Sequence, residues 1–148
     1  MIREASDRDI PALVALGRAM HDESPRWCRL AYDAEKVANT LRVLVGAPWG
    51  YVWVAEDADD QIVGGMVAAA TAHWSSADLV ATDLALFVAP AARGGLAPVR
   101  LLRAYRAWAV NVGAKLVQVG ITTGVQTEES AALMERVGFR RCGVVLEA

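Results

Sequence analysis

The clearest structural signal in the sequence is the stretch Leu84-Ala-Leu-Phe-Val-Ala-Pro-Ala-Ala-Arg-Gly-Gly-Leu-Ala-Pro-Val-Arg-Leu-Leu102. Its apolar start is typical of a strand buried on both faces. Pro90 and the pair Gly94-Gly95 predict a turn, and Pro98 fits the first turn of a helix, where a missing N–H costs little. A strand that leads through a turn into a helix gathers backbone N–H groups and the positive end of a helix dipole. This arrangement suits the phosphates of a ligand.

The composition favours one domain covering residues 1–148, because 148 residues with 55% apolar side chains can bury a sizeable core. No apolar run is long enough to cross a bilayer, and the early charged residues are unlike a signal peptide. A cytoplasmic protein without membrane contact is therefore expected. The net charge of −2 and the scattered basic residues argue against a nucleic-acid partner. Cys28 and Cys142 are expected to be reduced thiols, and no metal site is expected.

Hydrophobic periodicity around the opening stretch predicts ten elements in the order β-α-α-β-β-β-α-β-α-β. The predicted strands are 2–5, 51–56, 62–71, 81–88, 116–122 and 139–146. The predicted helices begin after Ser6–Asp9, at Asp33, in the Pro/Gly turn and at Thr127 as N-cap, and Gly46, Gly113 and Gly138 follow three of them. The pair Gly64-Gly65 inside a strand suggests a bulge or a close backbone approach.

These elements indicate an α/β (α+β) fold with a mixed, mostly antiparallel sheet. The middle strands read as hairpins. The strand–helix–strand unit from Leu84 to Thr122 is long enough for one right-handed parallel crossover. A parallel pair joined in this way predicts a cleft at the carboxyl ends of its strands.

Two short motifs, taken with this element order, resemble the GNAT superfamily of acyl-CoA-dependent N-acetyltransferases. They are Val88-x-Pro90-x-x-Arg93-Gly94 and Glu135-Arg-Val-Gly-Phe139. The resemblance implies a GNAT-type sheet and acetyl-CoA (CoA) as the cofactor. It also implies transfer of an acetyl group to a primary amine, on a small molecule or a peptide, by direct attack in a ternary complex.

The turn departs from the family pattern, which is usually written Gln/Arg-x-x-Gly-x-Gly/Ala. Counted from Arg93, the two small positions fall on Leu96 and Pro98. Counted from Ala92, they fall on Gly95 and Ala97, which permit a close approach of the backbone. The second register is favoured, with Arg93 as an additional charged donor to phosphate.

A second departure concerns Met134, which stands where many family members carry a tyrosine that protonates the departing thiolate. A thioether cannot donate a proton. This leaves an alternative function open, in which a GNAT-fold protein with weak or no catalysis binds CoA as a sensor or an interaction partner.

The resemblance implies a set of cofactor-binding residues in three segments. The backbone of the first segment binds pantetheine as an added strand, the turn offers N–H groups to pyrophosphate, and the start of the late helix faces the cofactor. Core packing, an ordinary glycine turn and helix capping are the competing explanations. The set is Leu86, Phe87, Val88, Arg93, Gly94, Gly95, Leu96, Ala97, Thr127 and Ser130.

Two carboxylates are candidate catalytic bases for the attacking ammonium. Asp83 lies just before the buried part of its strand, and Glu56 ends the preceding hairpin strand. A solvated or salt-bridged side chain is the competing explanation for each. His73 has a suitable unperturbed pKa of about 6.5, although loop histidines usually have no such role.

Four aromatic residues are candidates for binding the acceptor amine, because they lie in segments that the family uses around that site. They are Trp27, Tyr32, His73 and Trp74. Aromatic packing is an equally good explanation. The last predicted strand also leaves a sheet edge that a second copy could cover, which would give a homodimer.

Overall fold

The protein is built on one five-stranded mixed sheet, and its computed structural model describes residues 1–148. The strands are β1 (Ile2–Glu4), β2 (Gly50–Glu56), β3 (Ile62–Ala72), β4 (Leu79–Val88) and β5 (Leu116–Gln118), in the spatial order β1-β2-β3-β4-β5. All neighbours are antiparallel except β4 and β5, which are parallel. The predicted fold class and the parallel crossover are therefore confirmed.

Four helices cover the two faces of the sheet: α1 (Ile10–Glu23), α2 (Ala34–Leu44), α3 (Ala97–Asn111) and α4 (Thr127–Arg136). The core on the α3 side contains Tyr51, Leu101, Leu102 and Tyr105, all fully buried, and Tyr51 Oη donates to the carbonyl of Leu101 at 2.9 Å. A second core lies on the α1 and α2 side. None of the helices combines the length and the apolar character that crossing a membrane requires.

Helix starts follow the predicted polar residues, with one exception. The backbone N–H and Oγ of Ser6 donate to Asp9 Oδ2 at 2.8 and 2.9 Å, just before α1. The Asp33 side chain accepts a backbone N–H at 2.9 Å and caps α2. The prediction of Thr127 as N-cap is wrong: Thr127 is the first residue of α4, and the cap is Gln126, whose φ of +45° lies in the left-handed region. The chain enters α4 from a tight turn at Gln126, so the helix begins one residue earlier than predicted.

The predicted last strand at 139–146 is wrong, because this segment pairs with no strand. β5 has only three residues, so it offers a very short edge for pairing. Side chains instead tie the exposed segment to its surroundings. Arg141 pairs with Glu128 of α4 at 2.8 Å, and Glu147 pairs with Arg26, before α2, at 2.5 Å.

Gly65 shows the close backbone approach predicted for the glycine pair. A Cβ at this position would lie 2.6 Å from Leu13 Cδ2 and 2.9 Å from Phe87 Cε2. Glycine therefore lets α1 pack tightly against the centre of the sheet.

A β-bulge in β4 falls at Leu84, opposite the middle of β3. Ala85 pairs with Val67, whereas Asp83 pairs with Ala68, so Leu84 is an extra residue. Alternation of side chains would place residues 83 and 86 on opposite faces of a regular strand. The bulge shifts the alternation, and Asp83 and Leu86 both lie on the α3 side, as do their partners on β3.

Candidate active site

The carboxyl half of β4 has one edge without a strand partner. Pairing between β4 and β5 covers only Val80–Thr82 and Leu116–Gln118. Beyond these residues the strands separate, and Asp83 Oδ1 accepts the backbone N–H of Gly120 at 2.8 Å across the opening. Residues 84–88 therefore present backbone groups toward the space where a sixth strand could pair.

A cavity of about 1090 Å³ wraps around this open edge. Its walls come from the end of α1, the end of β4, the turn before α3, the turn before α4, and α4 itself. The lining includes Glu23, Leu86, Phe87, Val88, Arg93, Gly94, Gly95, Leu96, Glu129, Ser130, Met134 and Arg136. The cavity thus combines apolar walls with a few charged groups, as small-molecule sites commonly do.

The turn before α3 exposes backbone donors at the wall of the cavity. Gly94 has φ +84°, a conformation that favours glycine. The N–H groups of Gly94 and Leu96 donate to no backbone carbonyl. The first hydrogen bond of α3 runs from Arg100 N to the Leu96 carbonyl at 3.0 Å, so the positive end of the helix begins here. These features form a suitable site for an anion.

Arg93 lies beside these donors and is held by two elements. Its Nη1 and Nη2 donate to the two carboxylate oxygens of Glu23 at 2.6 and 2.5 Å. Its Nε donates to the Val88 carbonyl at 3.2 Å. The guanidinium lowers the pKa of the Glu23 carboxyl. The two side chains are 31% and 36% exposed, so this ion pair is open to solvent.

Asp83 lies where β4 and β5 separate. Burial raises the pKa of its carboxyl to about 6, and hydrogen bonds from backbone N–H groups oppose this effect. Tyr105 packs on the same side of the sheet and donates its hydroxyl to the Gln118 carbonyl at 3.0 Å. Asp83 is not itself a lining residue of the cavity, and lies on β4 three residues before Leu86, which is. A buried carboxylate whose pKa is raised in this way is suited to proton abstraction.

The cavity collects most of the residues predicted to bind the cofactor. It includes Leu86, Phe87, Val88, Arg93, Gly94, Gly95, Leu96 and Ser130. Ala97 does not line it and packs against the core on the α3 side. Thr127 also lies outside the lining, at the exposed start of α4. Gly94 and Gly95, rather than the pair Gly95 and Ala97, are the small residues at the cavity wall.

The structure does not bring Glu56 to the cavity. Its carboxylate accepts Arg3 Nε at 2.9 Å and Arg3 Nη2 at 2.6 Å. It is therefore held in an ion pair at the end of β2, two strands from β4.

The four aromatic candidates for the acceptor site are also not brought together. His73 and Trp74 lie in the turn between β3 and β4, at the opposite end of β4 from the cavity, and Trp74 is 91% exposed. Tyr32 Oη donates to the Val14 carbonyl at 2.8 Å and packs on α1. Trp27 lies under the Arg26 guanidinium, 4.3 Å from its carbon to the ring centroid. None of the four lines the cavity.

A second, more open groove of about 600 Å³ lies on the α2 face, and sequence reasoning missed it. Its lining includes Glu35, Trp49 and Leu84. Asp83 lies on the opposite, α3 side of the sheet, so the groove and this carboxylate are not joined.

Sequence reasoning also missed Glu23. A signal was present, because an acidic residue at the carboxyl end of a helix is opposed by the helix dipole and needs a cationic partner. That partner is Arg93, 70 positions further along the chain.

Comparisons with solved structures place this geometry in a known fold. A putative acetyltransferase from Agrobacterium tumefaciens is 17% identical, with a TM-score of 0.75 over 100% of this chain and 98% of that one. AAC(6')-Iy, solved with the bisubstrate analogue CoA-S-monomethyl-acetylneamine, is 16% identical, with a TM-score of 0.78 over 100% of this chain and 95% of that one. A transcriptional regulator from Bacillus halodurans is 20% identical, with a TM-score of 0.76 over 100% and 97%.

The chain has the GNAT fold. No protein-family model and no curated protein sequence matches it, so the assignment of the fold rests on the three-dimensional arrangement. Within this GNAT fold, the open edge of β4 and the start of α3 enclose the cavity described above.

Proposed function

We propose that the protein transfers an acetyl group from acetyl-CoA to a primary amine. The observation that carries this proposal is the open edge of β4, which runs into a cavity ending at free backbone donors of a helix start. An extended ligand with amide groups along its length and phosphates at one end fits both features.

The residues of the cavity fit the parts of CoA. The N–H groups of Gly94 and Leu96 suit the pyrophosphate, and Arg93 adds a charged donor. The backbone of residues 86–88 suits the amides of pantetheine. The side chains of Leu86 and Phe87 pack in the two cores, so they act through the position of the backbone.

The chemistry that we propose uses Asp83 as the general base. Acetyl-CoA supplies an acetyl group that its thioester activates. Asp83 accepts a proton from the substrate ammonium, directly or through water. The free amine then forms a bond to the carbonyl carbon while the C–S bond breaks, and the nitrogen gives its second proton to water or to the departing thiolate. Holding the amine against the carbonyl supplies much of the rate enhancement. Because Met134 cannot donate a proton, the thiolate leaves as an anion or takes a proton from water.

The first test is binding followed by turnover. Calorimetry with acetyl-CoA and with CoA should show saturable binding. Release of free thiol should follow with at least one member of an amine panel of aminoglycosides, polyamines, amino acids and peptides. Aminoglycosides are included because AAC(6')-Iy was solved with an acetylneamine-containing analogue. No binding of either nucleotide at millimolar concentration would refute the proposal, and binding without thiol release would favour a CoA-binding role.

The second test is the pH dependence of Asp83→Asn. A base acts in its ionised form, so kcat/KM of the wild type should rise through pH about 6, the pKa to which burial raises Asp83. The variant should lose this rise and about 100-fold in turnover at pH 7, while CoA affinity stays the same. An unchanged profile would remove Asp83 as the base.

A further inference from the structure

The Glu23 carboxylate pairs with the one arginine that lies beside the free N–H groups of the turn. Both terminal nitrogens of Arg93 donate to Glu23. Both residues line the cavity. A phosphate bound at the turn would therefore meet a guanidinium that already has an anionic partner.

Glu23 contributes little to its own helix. It is the last residue of α1, where the helix dipole disfavours a negative charge. The pair that it forms is partly exposed on both sides, and exposed ion pairs contribute little to stability. The fold alone gives no strong reason for a carboxylate at this point of the cavity wall.

From this geometry we propose that Glu23 competes with ligand phosphate for Arg93 and thereby limits the affinity of the cavity for phosphate-bearing ligands. The inference rests on the proposed function, because CoA is the phosphate-bearing ligand in question. Glu23 is a specificity-determining residue in this view. It weakens retention of the cofactor and so favours exchange of product CoA for acetyl-CoA.

The test compares Glu23→Gln with Glu129→Gln by calorimetry. Glu129 also lines the cavity but lies on α4, so its substitution removes the same charge without releasing Arg93. Glu23→Gln should bind CoA about two- to fivefold more tightly than the wild type, the size expected when one exposed ion pair no longer has to be broken. Glu129→Gln should show a clearly smaller gain. Affinity for pantetheine, which has no phosphate, should be unchanged in both variants.

A double substitution separates competition for Arg93 from direct repulsion of the ligand. In an Arg93→Met background, Glu23→Gln should gain no more CoA affinity than Glu129→Gln does. An equal gain for both glutamate variants in the wild-type background, or weaker CoA binding by Glu23→Gln, would overturn the inference while leaving the proposed function intact. Failure of CoA and acetyl-CoA to bind either the wild type or Glu23→Gln would overturn both.

Discussion

Two arginines in this molecule, Arg3 and Arg93, are similarly exposed, at 26% and 31%, and each donates several hydrogen bonds to carboxylates that differ in burial. Arg3 of β1 donates to both oxygens of Asp9, at 2.8 and 2.9 Å, and to Glu56. The two acidic side chains are only 5% and 8% exposed. Arg93 donates to both oxygens of Glu23 in a pair that is open to solvent and to the cavity.

Burial separates a structural role from a binding role more clearly than hydrogen-bond geometry does. Removing Arg3 would leave two negative charges in a protein interior, where unpaired charges are strongly destabilising. Removing Arg93 would leave a carboxylate that water can solvate. The pair of buried carboxylates therefore ties Arg3 to the fold, whereas Arg93 can exchange its exposed carboxylate for a ligand anion.

The largest expected effect is the loss of stability in Arg3→Met. Unfolding in urea should show a decrease of about 3 kcal/mol in the free energy of unfolding, because Asp9 and Glu56 lose their cation. The matched control is Arg8→Met. Arg8 Nε lies 3.9 Å from the same Asp9 carboxylate, on a side chain that is 78% exposed, and its loss should change the free energy by less than about 0.5 kcal/mol. Equal effects of the two substitutions would contradict the structural role assigned to Arg3.

The next effect is the dependence of stability on acid. Arg3 holds the pKa of Asp9 well below its usual range in the folded state, while the unfolded chain has the ordinary value of about 3.9. This stabilisation is present above pH about 4 and is lost as the pH falls further, because the unfolded state then binds more protons.

Melting temperatures measured across the acid range check this point. Asp9→Asn should have a flatter profile below pH about 4 than the wild type. Glu23→Gln should keep the wild-type slope nearly unchanged, since its pair is exposed. A wild-type slope in Asp9→Asn would show that another group controls the acid response.

Arg93→Met should have the smallest effect on stability, although it should weaken binding of CoA. Its free energy of unfolding should stay within about 1 kcal/mol of the wild type. Its affinity for CoA should fall about tenfold, through loss of one charge-assisted contact to phosphate. Arg136→Met, at the end of α4 on the same cavity, is the control and should lose less. A large loss of stability in Arg93→Met would assign both arginines to the fold.

The sequence predicted the order of elements well wherever local chemistry determines it. Asp33 marks the start of α2 and Gly113, with φ +80°, follows the end of α3. The stretch from Leu84 to Leu102 forms the predicted strand, turn and helix. The prediction of a final strand was wrong because an apolar run such as 144–146 forms a strand only beside a partner edge, which a local pattern cannot reveal.

The candidate site was only partly predictable. The turn residues around Gly94 could be named because their motif is continuous in the sequence. The partners Arg93 and Glu23 are distant in sequence, as are Arg3 and Glu56, so their pairing depends on the packing of whole elements. Glu56 and Trp74 are residues that the sequence wrongly suggested for the site: each has suitable chemistry but lies away from the cavity.

The bulge at Leu84 also limits how β4 can change over evolution. The strand must present residues to two different cores, and the extra residue determines which core each later side chain enters. Deleting one residue between Ala81 and Leu86 would turn Leu86 toward α1 and α2 and Phe87 toward α3, so each side chain would face the wrong core. β4 should therefore tolerate substitutions better than single-residue insertions or deletions, because a change in length reverses the facing of every later side chain of the strand.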